Sequence, residues 1–419
     1  MPVLQSLPAL GLLVALAACD TAAPPVDDPT PIELSELQTA LVVQSNAFGV
    51  GLFAEVAAED EGNLMLSPLS ASVVLTMLLN GADGETYSQI RDVLGYGPGT
   101  DLGAINAGYG DLRDQLLAAD PDVQLALANA VFYDRAYDAA FPFKTPFLDA
   151  MRGPFDARVD ALDFGDPGSV DVVNGWASDN TDGRVPTVLD EINPDLVLFL
   201  LNALYFKGDW TRPFDPDRTA PADFRLASGE TVQVPTMSGD LPALLVQGDG
   251  YQAAELAYGR GNFSMLLLMP DEGPLADFAA DLGAGLWTDA TTRLDTAGRG
   301  GPDGWGEILV RLPTFTFEYE KELNGPLKAL GMEDAFVRGV ADLSRMGDDP
   351  RLYVDFVKQN TFVEVNEEGT EAAAVTTGGV GVTSLPPSFV ADRPFVFAIR
   401  ERTTNTLLFI GQVANPAAR

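Results

Sequence analysis

The sequence predicts an α+β fold with large mixed β-sheets, and three observations carry that prediction. Helical patterns dominate the first half of the chain, strand-like apolar runs dominate the second, and neither an internal repeat nor a linker interrupts the sequence after residue 33. With 419 residues and 46% hydrophobic content there is ample material for one core. The organisation expected is a leader over 1–18, an extended tether over 19–32, and one folded domain over 33–419.

The leader, MPVLQSLPALGLLVALAAC up to its cysteine, holds an apolar run from Leu10 to Ala18. That length suits a signal-peptide core and is too short to span a bilayer. Leu16-Ala17-Ala18-Cys19 resembles the bacterial lipobox, in which the cysteine is lipidated and becomes the mature N-terminus. No Lys or Arg precedes the run, which departs from that pattern. The resemblance implies an exported protein lipid-anchored to a bacterial membrane, facing the periplasm or the cell exterior; the alternative is secretion. Residues 20–33, DTAAPPVDDPTPIE, are rich in Pro and Asp and predict an extended, unpacked segment.

Beyond the tether, Leu37, Leu41, Phe48, Leu52 and Val56 fall on one helical face, with Ser45 completing the stripe. Residues 63–95 predict a buried helix, a Gly-marked turn and a second helix. Strands are expected at Val123–Tyr133, Leu196–Phe206, Ser264–Met269, Glu307–Phe317, Tyr353–Val365, Phe395–Arg400 and Leu407–Val413. Gly298–Gly306 is expected to be a loop and lacks the strand-then-helix setting of a phosphate cradle.

Composition removes whole classes of chemistry. Acidic residues outnumber basic ones 61 to 25, for a formal charge of −36. Scattered as they are, they describe a solvated acidic surface and exclude a nucleic-acid footprint. Histidine is absent, which excludes Ser-His-Asp and Cys-His catalysis and imidazole metal sites. The single cysteine, Cys19, excludes an intramolecular disulfide. No metal or cofactor is expected. Carboxylate-only hydrolysis passes this test, but nothing singles out a pair among so many acids.

One segment fits none of the ordinary elements: EEGTEAAAVTTGGVGVTSLPP, residues 367–387, has no aromatic residue, no Lys and no Arg. Thr370, Ala372, Ala374 and Thr376 alternate on one face, all small, with Glu371, Ala373, Val375 and Thr377 on the other. It is composed like a strand that is tolerable both in water and between two neighbours.

Five stretches together resemble the serpin family, from about residue 34 to Pro416. They are NLMLSPLS (63–70), VNGWASDNTDGRVPTVL (173–189), LNALYFKGDWTRPFD (201–215), VEVNEEGTEAAAVT (363–376) and DRPFVFAIRERTTNTLLFIGQVANP (392–416). The resemblance implies about eight or nine helices and an exposed reactive loop at about 367–390, which enters a large sheet as an extra strand after cleavage. Its hinge would comprise Glu367, Glu368, Gly369, Thr370, Glu371, Ala372, Ala373, Ala374, Val375 and Thr376. Family spacing from Glu367 puts the cleaved bond at Thr383–Ser384, with Val382–Thr383 as the alternative. Small, uncharged residues before that bond imply an elastase-like or subtilisin-like serine protease as partner. The protein would then be a suicide-substrate inhibitor and no enzyme, expected to be a monomer. The alternative is a non-inhibitory serpin serving as a surface binding or structural lipoprotein.

The resemblance also marks a sheet-opening region: Ser67, Ser70, Asn202 and Gln359, with Trp210 and Glu367 at the top of the sheet. Gln359 stands where the family commonly has histidine, and Thr314 where it often has lysine. Lys207 and Gly208 are expected to form a turn with a solvated charge. Gly95–Asp111 contains no Lys or Arg, against a polysaccharide cofactor.

Overall fold

A computed structural model describes residues 29–193, 196–299, 305–370 and 387–418 of the protein. The first helix, α1 (Glu36–Glu59), starts at a reciprocal cap: Ser35 Oγ accepts from Gln38 N, and Gln38 Oε1 from Ser35 N. Its expected face is the buried one, Leu41, Ser45, Phe48, Leu52 and Val56 all lying in the core. A short strand, β1 (Leu64–Leu66), leads into α2 (Pro68–Leu79), where Ser67 is the N-cap and Pro68 takes the first helical position, as its fixed φ favours. Two more helices follow, α3 (Gly84–Val93) and α4 (Leu102–Leu117).

The chain then alternates: β2 (Val123–Asp134), α5 (Arg135–Ala140), α6 (Thr145–Arg152), β3 (Arg158–Leu162), α7 (Gly168–Asn180) and β4 (Leu198–Asp209). From there strands prevail: β5 (Ala220–Arg225), β6 (Thr231–Gln247), β7 (Tyr251–Tyr258) and β8 (Phe263–Pro270). Helices α8 (Leu275–Asp281) and α9 (Trp287–Gly298) run on through a kink at Gly285, where φ is 128°. The rest comprises β9 (Gly306–Pro313), β10 (Phe315–Glu322), α10 (Asn324–Ala329), β11 (Lys358–Val365), β12 (Gly369–Thr370), β13 (Ser388–Val390), β14 (Phe395–Glu401) and β15 (Thr406–Val413). With α8 and α9 joined, the described residues hold nine helical bodies and mixed sheets, the α+β class the sequence predicts.

Two sheet systems result. One has nine strands in the order β1-β15-β14-β8-β7-β6-β9-β13, with β5 on β6. Its inner strands β8, β14 and β15 are buried at every position. The other is split: β12-β4-β2-β3 on one side and the antiparallel pair β10-β11 on the other. In β11 burial strictly alternates, as expected of a strand with one face on the core.

Several expectations need correction. The single strand expected over Glu307–Phe317 is two, because the chain passes at Pro313–Thr314 from the nine-stranded sheet to the split one. Tyr353–Val365 is a strand only from Lys358. Lys207 and Gly208 are no turn; they sit inside β4, where Gly208 pairs with both Val123 and Thr370. Strands β5, β6 and β7 have no counterpart among the expected strands. The tether expected to be unpacked through residue 32 is held at its end: Asn262 accepts from Thr30 N and donates to Thr30 O, and Thr403 Oγ1 accepts from Ile32 N.

Candidate functional site

Between β4 and the segment running from residue 353 into β11 lies a cleft of about 370 Å³. On the β4 side β2 pairs the outer edge, and β12 covers the inner edge only at Gly208 and Asp209. On the opposite side β10 pairs one edge of β11. Among the described residues no ladder joins β4 to β11, so two strand edges face each other across the gap. The cleft is mostly apolar, with Leu198, Phe199, Leu200, Leu201 and Phe356 among its walls. Among the described residues it is therefore a gap between two strand edges, with backbone donors and acceptors on both banks.

The upper end is closed by residues 366–370. Asn366 starts a tight turn: its Oδ1 accepts from Glu368 N at 3.0 Å and Gly369 N at 3.3 Å, and its own N donates to Gly369 O at 3.0 Å. Trp210 grips this turn, donating from Nε1 to Asn366 O and from its backbone N to Glu368 O. Phe214 N donates to Glu367 O, and Thr219 Oγ1 to Glu367 Oε1 at 2.6 Å. Gly369 has φ +149°, and a Cβ there would lie 2.2 Å from Gly208 O, so only glycine can pair with β4 so closely. Thr370, buried, shares a hydrogen bond of 2.9 Å with the Tyr258 hydroxyl, and Tyr258 stacks on Trp210 at 4.4 Å. Burial pushes the Tyr258 hydroxyl well above its ordinary pKa, keeping it a neutral hydrogen-bonding group. Burial, then the carboxylates of Asp209 and Glu367, raise the pKa of Glu368, against a lowering by Lys207. Burial likewise raises Asp209.

Lower down, the start of α2 straddles the cleft and ties it to both banks. On the β11 side Gln359 Nε2 donates to Ser67 O at 2.7 Å, and Gln359 Oε1 accepts from Ser67 N at 3.1 Å. On the β4 side Ser70 Oγ donates to Asn202 Oδ1, and Asn202 Nδ2 donates to Asn129 Oδ1 at 2.8 Å. Below this the far bank is irregular. Val354, Asp355 and Val357 spend their backbone bonds on Ala335, Leu323 and Asn324. That is why the strand expected from Tyr353 does not form: among the described residues its apolar sequence has no strand beside it.

Over the cleft lies α7 with the strap that follows it. Val173, Trp176 and Ala177 pack with Phe132, Phe199 and Ala203 of β2 and β4. The strap folds back on its own helix, Asn174 accepting from Val188 N and Leu189 N and donating to Leu189 O.

The sequence-predicted residues thus gather in two clusters, Ser67, Ser70, Asn202 and Gln359 in the middle and Trp210 with Glu367, Glu368, Gly369 and Thr370 at the top. Glu371, Ala372, Ala373, Ala374, Val375 and Thr376, the bond Thr383–Ser384 and Cys19 lie outside the described residues. Asn129, Tyr258, Thr219 and Asn366 were missed. Of these only Asn366 had a local signal, an Asn three residues before a Gly, which favours an Asx-type turn.

The described residues define a class of α+β body with one nine-stranded sheet and one split sheet, β12 being docked on β4 at the head of the split. The comparisons narrow this class. A family model described as Serpin (serine protease inhibitor) matches residues 43–416. Human Serpin B11 is 32% identical over 396 residues, covering 88% of this chain and 97% of that protein. Bovine leukocyte elastase inhibitor is 32% identical over 385 residues, covering 90% and 99%. The native structure of the thermophilic serpin tengpin superposes with a TM-score of 0.78 at 27% identity, covering 93% of this chain and 97% of tengpin. The chain belongs to the serpin family.

Proposed function

We propose that this serpin is an inhibitor that traps a serine protease as a covalent acyl-enzyme. One observation carries the reading: Gly369 and Thr370 pair with Asp209 and Gly208 at the head of a gap between β4 and β11 that no described strand fills. In this reading the protease serine attacks the carbonyl of Thr383, releasing the amine of Ser384 and leaving an ester. The freed loop then extends β12 down the cleft. A central strand of roughly a dozen residues would form about a dozen backbone hydrogen bonds, on the order of 10–20 kcal/mol at ~0.5–1.5 kcal/mol each. That rivals the ~5–15 kcal/mol stability of an ordinary domain, so the uninserted form is held kinetically. The tethered protease is dragged across the body, and distortion of its oxyanion hole leaves the ester unhydrolysed.

The small residues before Thr383, and the likeness to a leukocyte elastase inhibitor, support an elastase-like target, with subtilisin-like enzymes as the other candidate. Membrane attachment through Cys19 rests on the Leu16–Cys19 motif alone. The test mixes residues 24–419 with each protease type. A denaturant-resistant complex and a released peptide starting at Ser384 are expected. Clean cleavage with no complex and no rise in melting temperature would retire the reading in favour of a non-inhibitory serpin.

A further inference from the structure

The strap after α7 does more than cover the cleft, because two residues at its tip reach opposite banks. Asp182 accepts a hydrogen bond from Tyr205 of β4. Two residues on, Arg184 pairs with Glu364 of β11 at 3.7 Å and lies over the Phe362 ring at 5.1 Å. Asp182 and Gly183 both adopt positive φ, 51° and 77°, so the chain doubles back sharply between the two grips. A second bridge to the same bank runs from Lys358 Nζ to Val188 O at 3.4 Å.

The position of the tip relative to the hinge is what gives it consequence. Thr370, Thr181, Arg184, Val185, Tyr205 and Phe362 line one small void directly below the docked hinge. The register of β12 on β4 pairs Gly369 with Asp209 and Thr370 with Gly208. Continued by three residues, it brings position 373 opposite Tyr205, the residue that Asp182 holds. A strand growing downward from Thr370 therefore meets the 182–184 tip before any other part of the strap.

We infer that Asp182 and Arg184 form a clasp across the cleft that sets the rate of loop insertion, with Arg184 as its releasable half. This rests on the inhibitory reading above. Opening the clasp separates a half-exposed ion pair and a cation–π contact, each a modest interaction, so it retards insertion without preventing it. A guanidinium suits both contacts at once, since its plane stacks on Phe362 while its edge meets Glu364; an ammonium keeps only the charge.

The experiment needs no protease. A synthetic peptide with the sequence of residues 370–382 is incubated with wild type, Arg184→Ala, Glu364→Gln and Arg184→Lys, and its uptake is followed by the rise in melting temperature. Arg293→Ala, which breaks an exposed pair on α9 far from the cleft, is the control. The expected result is uptake about fivefold to tenfold faster in Arg184→Ala, less in Glu364→Gln and Arg184→Lys, and unchanged in Arg293→Ala. Uptake at the wild-type rate in both Arg184→Ala and Glu364→Gln overturns the clasp while leaving insertion standing. Equal acceleration by Arg293→Ala overturns it as well, by showing that any lost charge suffices. A peptide that enters none of the proteins, together with no rise in melting temperature after loop cleavage, removes insertion itself and the clasp with it.

Discussion

The two sheet systems of this protein are built from the same amino acids and behave as opposites. In the nine-stranded sheet, β14 is paired on both sides, by β15 and β8, and each of its seven residues is buried. In the split sheet, β4 and β11 each pair along one edge, and among the described residues the one strand on the facing edges is β12, whose two residues pair with β4. The first is a core whose central strands have both edges paired. In the second no described ladder joins β4 to β11, and the middle of the gap is held by the Gln359 side chain on the Ser67 backbone and by the Ser70 hydroxyl on Asn202. Under the inhibitory reading, metastability in this molecule would be local. It would reside at the gap that no described strand fills, and the nine-stranded sheet would give the body against which a new strand is driven.

The largest effect expected is on the gap itself. Thr370 is buried and bonded to Tyr258, so Thr370→Arg forces an unpaired guanidinium into the head of the cleft. Ala372→Pro removes a backbone donor from the strand to be inserted. Either change should convert an inhibitor into a substrate. Covalent complex at equal protease should fall at least roughly tenfold, a change of ~1.4 kcal/mol in partitioning. Complex yields equal to wild type would mean that the split sheet is not where trapping occurs. The complete sheet offers the matching test of stability. Phe397, fully buried in β14 against Phe315, should cost ~3–5 kcal/mol on change to alanine, by urea unfolding. Leu201 on the cleft wall, only partly buried, should cost about 1–2 kcal/mol, because part of it already faces open space. Equal losses would contradict the openness of the cleft.

Gln359 probes how the split is held shut. Its amide makes two bonds to the Ser67 backbone, and Gln359→Leu would leave the buried Ser67 N–H without its partner, while Ser67 O keeps its bond from Ala71 N. The expected cost is ~1–3 kcal/mol to the uninserted form. Peptide uptake should accelerate correspondingly, whereas the same substitution should leave the melting of the cleaved, inserted form nearly unchanged. An equal loss in both forms would make Gln359 an ordinary packing residue.

How much of this was legible in the sequence follows from the range of each interaction. The helix face from Leu41 to Val56, the Ser67-Pro68 start of α2 and the apolar runs of β14 and β15 are local patterns, and the structure repeats them. The segment after Glu367 stands out by its absence of large side chains, and its reading as a hinge rests on the resemblance. What failed was set by partners distant in sequence. Residues 353–357 have strand composition yet no described strand beside them, and periodicity cannot see that. Glu307–Phe317 looked like one strand because its apolar run crosses Pro313–Thr314 without a break, while the two halves answer to different sheets. Lys207-Gly208 looked like a turn because Gly and Lys are poor strand residues, yet Gly208 is where β12 must approach most closely. Tyr258, which locks Thr370, lies 112 residues away from it, beyond any local motif.

Protonation gives the finest comparison between the two ends of the cleft, and the smallest effect. Glu368 at the top has its pKa raised by burial and by Asp209 and Glu367, so the folded form binds a proton more readily than the unfolded chain. Stability therefore increases as pH falls through the raised value toward the ordinary 4.5, and the penalty is fully present above it. Asp349, on the lower wall, is opposite: bonds from Arg351 hold its pKa down to about 2, so its contribution is complete above 3.8 and disappears as pH falls through about 2. Of these two groups, Glu368 changes its protonation between neutrality and pH 4.5 and Asp349 does not. Glu368→Gln should accordingly stabilise the protein by about 0.5 kcal/mol or less at pH 7. That advantage should shrink as melting is measured at successively lower pH toward 4.5. A gap that stays constant with pH would show that Glu368 is not crowded by its neighbouring acids, and would remove charge repulsion from the account of how the hinge is poised.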